Sequence, residues 1–312
     1  MKMIINPVYT YEKKVMVRSI KFSIAISLFN AFLAFIVFVS MSSVIQNVKT
    51  TAMVQYTSFL MIFRLVALIE FLVVLFIIPA LTAGAISSEK ERKTLDLLYT
   101  TRIKPFDIVA GKFLAAFFAT FMLVVSSLPV MALVFVYGGI TVGDILKLSI
   151  SYLLVIYYAG SIGLFASSLS RSTNVAAAAA YAVLIVLMLA TLPHGILSGG
   201  FSIEASEQTL LPMDAGVVGD AYAHKNDASL LMGWIYSTNP ITVFYINLNM
   251  VIGNKETIDS IFDLIGGSGS GFIRQNWFII GMGFQFTAAT VLTALSVCNI
   301  TPYSRFKLLK RD

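Results

Sequence analysis

Six stretches of this chain, near residues 22–45, 59–86, 113–137, 145–169, 174–193 and 276–299, are long and almost wholly apolar. A helix rising about 1.5 Å per residue needs about 20 such residues to cross a hydrocarbon core of about 30 Å. Water cannot serve backbone groups inside a bilayer, so only helices and closed barrels span one. A barrel would show alternating segments of about 10 residues. The runs here are continuous and longer, so the spanning elements are helices. Composition agrees: 58% of the 312 residues are hydrophobic and 12% charged, with a mean hydropathy of +0.85, whereas soluble domains carry about 25% charged residues. The reading is an all-α membrane protein of six transmembrane helices, forming one domain over residues 1–312.

Lys and Arg set the orientation. Lys2, Lys13, Lys14, Arg18 and Lys21 precede the first run, and Lys90, Arg92, Lys93, Arg102, Lys104 and Lys112 lie in the 87–112 loop. Arg171 follows the fourth run, and Arg305, Lys307, Lys310 and Arg311 follow the sixth. The opposite side holds only Lys49, Lys147, Lys225, Lys255 and Arg274. Positive charge is retained on the cytoplasmic side, so both termini and the 87–112 loop are expected there, in a multi-pass protein of the cell membrane. The net charge of +6 then belongs to loops meeting anionic lipid rather than to nucleic acid. The first run, 22–45, is too long for a signal-peptide core and lacks a small-x-small cleavage site, so it reads as a span.

Residues 194–275 form an extracytoplasmic loop. Within it, Leu230–Ile252 is apolar but broken by Gly233, Asn239, Pro240, Asn247 and Asn249. A seventh span there would carry the basic tail outside, so a re-entrant or interfacial hairpin is favoured. Gly-Gly-Ser-Gly-Ser-Gly at 266–271 reads as a flexible joint.

Two polar segments carry the functional signal. Asn6 can cap a helix that Pro7 opens, and Val8, Tyr11, Val15 and Arg18 recur at helical spacing, so residues 1–21 suit a helix on the membrane surface. A basic tail without fixed structure is the other reading. In the 87–112 loop, Ser88 and Glu91 form a capping-box pattern that predicts a helix beginning at 88 and ending near Tyr99, with Leu95, Leu98 and Tyr99 on one side. Pro105 opens a second helix. A short amphipathic helix at such a bend is suited to meet another protein, although a solvated connector would share its composition.

Asn6-Pro7-Val8 with Glu12 and Arg18-Ser19, Glu91-Arg92-Lys93-Thr94-Leu95-Asp96-Leu97-Leu98, Ile108-Val109-Ala110-Gly111-Lys112 and Trp234-Ile235-Tyr236-Ser237-Thr238-Asn239-Pro240 occur in this order. Together they resemble the permease subunits of the ABC-2 type transporter family. Tyr11 departs from the basic residue common there. The resemblance implies that Asn6, Pro7, Glu12 and Arg18 belong to a connecting helix. It implies that the loop after the second span is a coupling helix, with Glu89, Glu91, Arg92, Thr94, Leu95, Asp96 and Leu98 facing an ATPase. It further implies two cytoplasmic ABC ATPase subunits that bind ATP and Mg2+, a second permease, identical or homologous, and export as the usual direction.

The chain itself encodes no nucleotide loop: Gly111-Lys112 is preceded by Phe106 where a phosphate loop needs Gly and followed by Phe113 where it needs Ser or Thr. ATP hydrolysis is therefore expected on a separate chain, with no catalytic residues, metal or cofactor here. Lone His194 and His224 read as ordinary surface residues, and Cys298 as a small residue near a helix end.

Arg64 and Glu70 are charges within the second span, each costing about 2.5–3.5 kcal/mol at the bilayer centre. Their spacing places them about 240° apart around the helix, so they do not pair. Arg64 reads as snorkelling to the surface. Glu70 either faces a transport path, with Asn174, Asn239 and Pro240 as further candidates, or is held by hydrogen bonds. The Ala176–Ala180 run supplies small residues for close packing or for a subunit seam. Mostly apolar walls lean toward an amphipathic or lipid-like cargo. A membrane-embedded enzyme would require polar groups converging at one depth, which Glu70 alone does not supply. A sensor or scaffold that binds an ATPase without transporting anything is the third class.

Overall fold

A computed structural model of the chain describes residues 6–51, 56–95, 103–138, 141–190, 236–254, 258 and 271–301. Eight helices lie among them: α1 (Pro7–Val17), α2 (Ile20–Thr51), α3 (Tyr56–Glu91), α4 (Pro105–Gly138), α5 (Val142–Leu169), α6 (Thr173–Ala190), α7 (Pro240–Ile252) and α8 (Gly271–Ile300). No strand occurs among the described residues. Five helices carry apolar stretches long enough to cross a bilayer: Ile20–Gln46, Ser58–Glu91, Pro105–Ala132, Gly143–Leu169 and Asn276–Ile300. The predicted fifth span, 174–193, corresponds to α6, whose 18 residues extend about 27 Å. Residues 191–193, Pro193 among them, lie outside the described ones.

The chain divides into two compact units, Met1–Leu184 with Phe286–Asp312, and Ile185–Gln285. In the first, α3 packs on both α4 and α5. Phe63, Val66, Phe71, Val74 and Ile78 of α3, with Tyr152, Ile156 and Ala159 of α5, are buried. Glycine makes the closest approach possible. A Cβ at Gly163 of α5 would lie 3.0 Å from the Pro79 carbonyl oxygen and 3.1 Å from Pro79 Cα, so the two backbones touch where any larger residue would separate them. Ala176 and Ala180 of α6 are fully buried beside Ala83 and Ala166, which puts these two alanines in a helix contact within the chain.

Polar groups join the apolar helices at several depths. Asn30 of α2 donates to the Ser126 hydroxyl of α4 at 2.9 Å. The Tyr181 hydroxyl of α6 donates to the Phe76 carbonyl at 2.6 Å. Glu70 is fully buried, accepts from the Ser127 hydroxyl of α4 and lies beside Tyr152 of α5. The Tyr152 hydroxyl also donates to the Ala67 carbonyl at 2.8 Å.

The capping-box expectation is corrected. Ser88 is inside α3, and its hydroxyl donates back to the Gly84 carbonyl at 2.6 Å. No helix begins there. The apolar run continues one helix to Glu91, and a serine within it takes the carbonyl four residues back instead of serving as a cap. Helical conformation resumes at Leu95, with residues 96–102 outside the described ones.

In the second unit, Tyr236, Val243, Ile246, Ile258 and Trp277 form an apolar core. Asn239 caps α7, its side chain accepting from Ile241 N–H at 2.8 Å, and Pro240 is the first helical residue. Gly253, at φ +77°, ends the helix. The 13 residues of α7 extend about 20 Å, short of a bilayer crossing. The rest of 194–235, including His194 and His224, and all of 302–312 with the basic tail lie outside the described residues.

Candidate functional site

The end of α3 is the centre of the site. Thr94 N–H bonds the Glu89 carbonyl at 2.9 Å and Lys93 N–H bonds the Lys90 carbonyl at 3.1 Å, the paired bonds of a Schellman stop. The left-handed position that such a stop needs is occupied by Lys93, at φ +57°. A non-glycine residue there carries a steric cost of about 1–2 kcal/mol. Lys93→Gly is therefore expected to stabilise the chain by about 0.5–1 kcal/mol after the entropy of glycine is deducted, read as a raised thermal midpoint in detergent.

This stop turns the Glu89 side chain back toward the bundle. The Thr94 hydroxyl donates to one carboxylate oxygen, and Lys112, in the second turn of α4, meets the other at 3.1 Å. The same ammonium reaches Glu12 of α1 at 2.9 Å. Lys112 thus links three elements, and its side chain is only 10% exposed. In water an exposed ion pair contributes about 0–1 kcal/mol; shielding the ammonium strengthens the attraction but also costs its desolvation, so the large effect is the loss when one partner is removed.

Local structure places α1 on this junction. The Asn6 side chain accepts from Val8 N–H at 3.0 Å while its amide donates to the Asp107 carbonyl of α4 at 2.6 Å. One asparagine therefore both caps α1 and fixes it to the neighbouring helix. Gly111 leaves room for the contact, since a Cβ there would lie 2.8 Å from Val8 Cβ and 3.0 Å from Tyr9 N. Tyr9 and Phe118 rings lie 5.8 Å apart, with the Lys13 ammonium 5.3 Å from the Phe118 ring centre, a cation–π arrangement. The apolar Tyr11, Val15 and Val17 are exposed.

A second set of contacts leaves the same turn of α3 toward α6. The Glu91 carboxylate accepts from Thr173 N–H at 3.0 Å and from its hydroxyl at 2.9 Å, capping the start of α6. Lys90 donates to the Ser168 carbonyl. From the end of α8, Asn299 donates to the Ser168 hydroxyl at 3.2 Å. Ile300 joins Ile86, Val109, Phe113 and Leu164 in an apolar cluster.

Of the residues singled out in the sequence, Asn6, Pro7, Glu12 and Glu89 are brought together, and Arg18 ends α1 as its C-cap. Glu91 and Arg92 are exposed, Thr94 is half-buried and Leu95 is buried. Asp96 and Leu98 lie outside the described residues. Glu70 and Asn174 do not share a site: Asn174 is exposed beside the Glu91 cap, which lies 21 residues along α3 from Glu70, about 30 Å. Asn239 and Pro240 belong to the second unit. Lys112, Gly111 and Asp107 were missed as site residues. For Gly111 and Lys112 the signal was the segment Ile108–Lys112, in which Lys112 directly precedes the apolar face of a span; Asp107 acts through its backbone carbonyl and gave none.

No curated protein matches the chain. The sequence profile of the family described as "ABC-2 family transporter protein" matches residues 7–297, from the first residue of α1 almost to the end of α8. That match contains Glu12, Glu89 and Lys112 of the polar junction and four of the five long apolar helices whole, with the fifth as far as residue 297, and on it the chain belongs to the ABC-2 family of transporter proteins, as a multi-pass membrane permease component of an ABC transporter.

Proposed function

We propose that this chain is one transmembrane domain with six crossings, whose polar end lies in the cytoplasm and docks on a separate ABC ATPase chain. Two ATPase copies and a second permease, identical or homologous, complete the transporter. The observation that carries this reading is the Lys112 junction. It ties α1, the end of α3 and the start of α4 into one polar body, beside exposed Glu91, Arg92 and Lys93. The end of α8 lies at this same end through Ile300, which supports an even number of crossings with α6 counted among them. Positive charge concentrated there supports a cytoplasmic placement.

In this reading α1 lies on the membrane with Tyr11 and Val15 toward lipid. The turn from Glu91 through Thr94 faces the ATPase, with Asp96 and Leu98 as further candidates, and ATP and Mg2+ stay on that partner. ATP-driven closure of the two ATPases moves the polar body, and the seam between permeases opens outward. Asn239, Pro240 and α7 form the re-entrant outer segment, while Glu70 and Asn174 are candidates for the path. The cargo is amphipathic or lipid-like.

Affinity purification of the full chain from its own membranes should retain an ABC ATPase whose turnover depends on this chain. In proteoliposomes the complex should then move a fluorescent phospholipid between leaflets only with ATP. Absence of an ATPase from the purified material would overturn the transporter reading. Turnover without movement of this or any amphipathic probe would favour a scaffold.

A further inference from the structure

The turn of α3 that precedes the junction is not an ordinary stretch of helix. Pro79 within α3 removes one backbone donor. Downstream, the hydroxyls of Thr82, Ser87 and Ser88 donate to the carbonyls of Ile78, Ala83 and Gly84, at 2.9, 2.6 and 2.6 Å. The hydroxyl oxygen of Ser167, from α5, lies 2.9 Å from both Ile86 N–H and Ser87 N–H and accepts from each. Ser167 is fully buried, as are Ile86 and Ser87. The Ser87 hydroxyl adds a bond to the Ala83 carbonyl, the ladder acceptor of its own N–H. A side chain inserted into a helix ladder is a recognised cause of local bending.

Three consecutive attachments then bind the same six residues of α3 to the connection between α5 and α6. Ser167 holds Ile86 and Ser87, the Ser168 carbonyl holds Lys90, and Thr173 is held by Glu91. We infer that Ser167 is a positioning residue: it fastens the end of α3 to the α5–α6 connection, so that a displacement of the polar junction is delivered to α6 as well as to α4. The part of α3 above Pro79 is left behind by this movement, because its continuity with the end is loosened where Pro79 withholds a ladder bond and the hydroxyls bond back to ladder carbonyls. The existence of the joint is independent of any ATPase. The direction in which motion passes through it rests on the function proposed above.

Hydrogen exchange on the full chain in nanodiscs separates the two. Ser167→Ala should raise exchange at residues 86–91 and 168–175 by about tenfold, the effect of losing a buried acceptor for two N–H groups, and leave 60–78 unchanged. Ser167→Thr, which keeps the hydroxyl, should return 86–91 to the wild-type rate. No change at 86–91 in Ser167→Ala, or an equal rise over 60–78, would overturn the joint. With a co-purified ATPase bound, addition of ATP should alter exchange at 173–180 in the wild type, and Ser167→Ala should abolish that response while the ATPase remains bound. A full response in Ser167→Ala would overturn the delivery to α6, whereas failure of the wild type to bind any ATPase would count against the proposed function alone.

Discussion

Lys112→Met is expected to release α1 from the bundle and to destabilise the polar end by about 2–4 kcal/mol. The lysine is the common partner of Glu12 and Glu89, at 2.9 and 3.1 Å, and those carboxylates are themselves only 32% and 25% exposed. Removing the ammonium leaves two partly shielded like charges facing one another, a state worse than having neither charge. The lower end of the range follows from the water that still reaches both glutamates. Hydrogen exchange over 7–17 and over 86–94 should rise together, since both segments lose the same partner. The triple variant Lys112→Met, Glu12→Gln, Glu89→Gln should recover part of the loss, because no uncompensated charge remains. If the single variant kept wild-type exchange at α1, the junction would not be what holds that helix. In the transporter reading, Lys112→Met should also lower the amount of ATPase recovered with the chain.

The contrast between what could and could not be read beforehand has a physical cause. Spans are legible because bilayer insertion depends on summed apolar content over about 20 residues, a property that survives ignorance of every neighbour. The Asn6-Pro7 start of α1 is legible for a similar reason, as capping acts within one turn. The Ser88-Glu91 pattern failed because the same local chemistry was overridden by an apolar run continuing through it; Ser87 and Ser88 bond backward along α3. Lys112 was read as a loop cation, as the end of the family-like segment Ile108–Lys112 and against phosphate loops, but not as a junction residue. Its role depends on Glu12 and Glu89, which are 100 and 23 residues away, and no period or spacing encodes such a meeting. Glu70 shows the converse: its charge was conspicuous, but its enclosure by Ser127 and Tyr152 required the packing of α3, α4 and α5.

Gly111→Val should produce the second large effect, and should do so without touching any charge. A Cβ at this position would lie 2.8 Å from Val8 Cβ, 3.0 Å from Tyr9 N and 3.1 Å from Asn6 Oδ1. None of these is the free end of a flexible side chain, so α1 has to move as a body. Overpacking of this kind costs about 1–3 kcal/mol where the structure cannot yield. Here it can yield, because no residue of α1 is fully buried, and the strain is relieved by lifting the helix off α4. That movement forfeits the 2.6 Å bond from Asn6 to the Asp107 carbonyl and stretches the Lys112 contact to Glu12. The expected signature is local: trypsin should cut after Lys13, Lys14 and Arg18 much faster than in the wild type, while the thermal midpoint of the bundle changes little. Gly283→Val is the matched control, since a Cβ there meets nothing within 4 Å, and it should leave cleavage in α1 at the wild-type rate. Equal protection of α1 in Gly111→Val and the wild type would mean that the close approach at Gly111 does not seat this helix. Lifting α1 while the Glu89 to Lys112 pair survives would also show which half of the junction an ATPase requires. Retained binding would assign docking to the end of α3, and lost binding would assign it to α1.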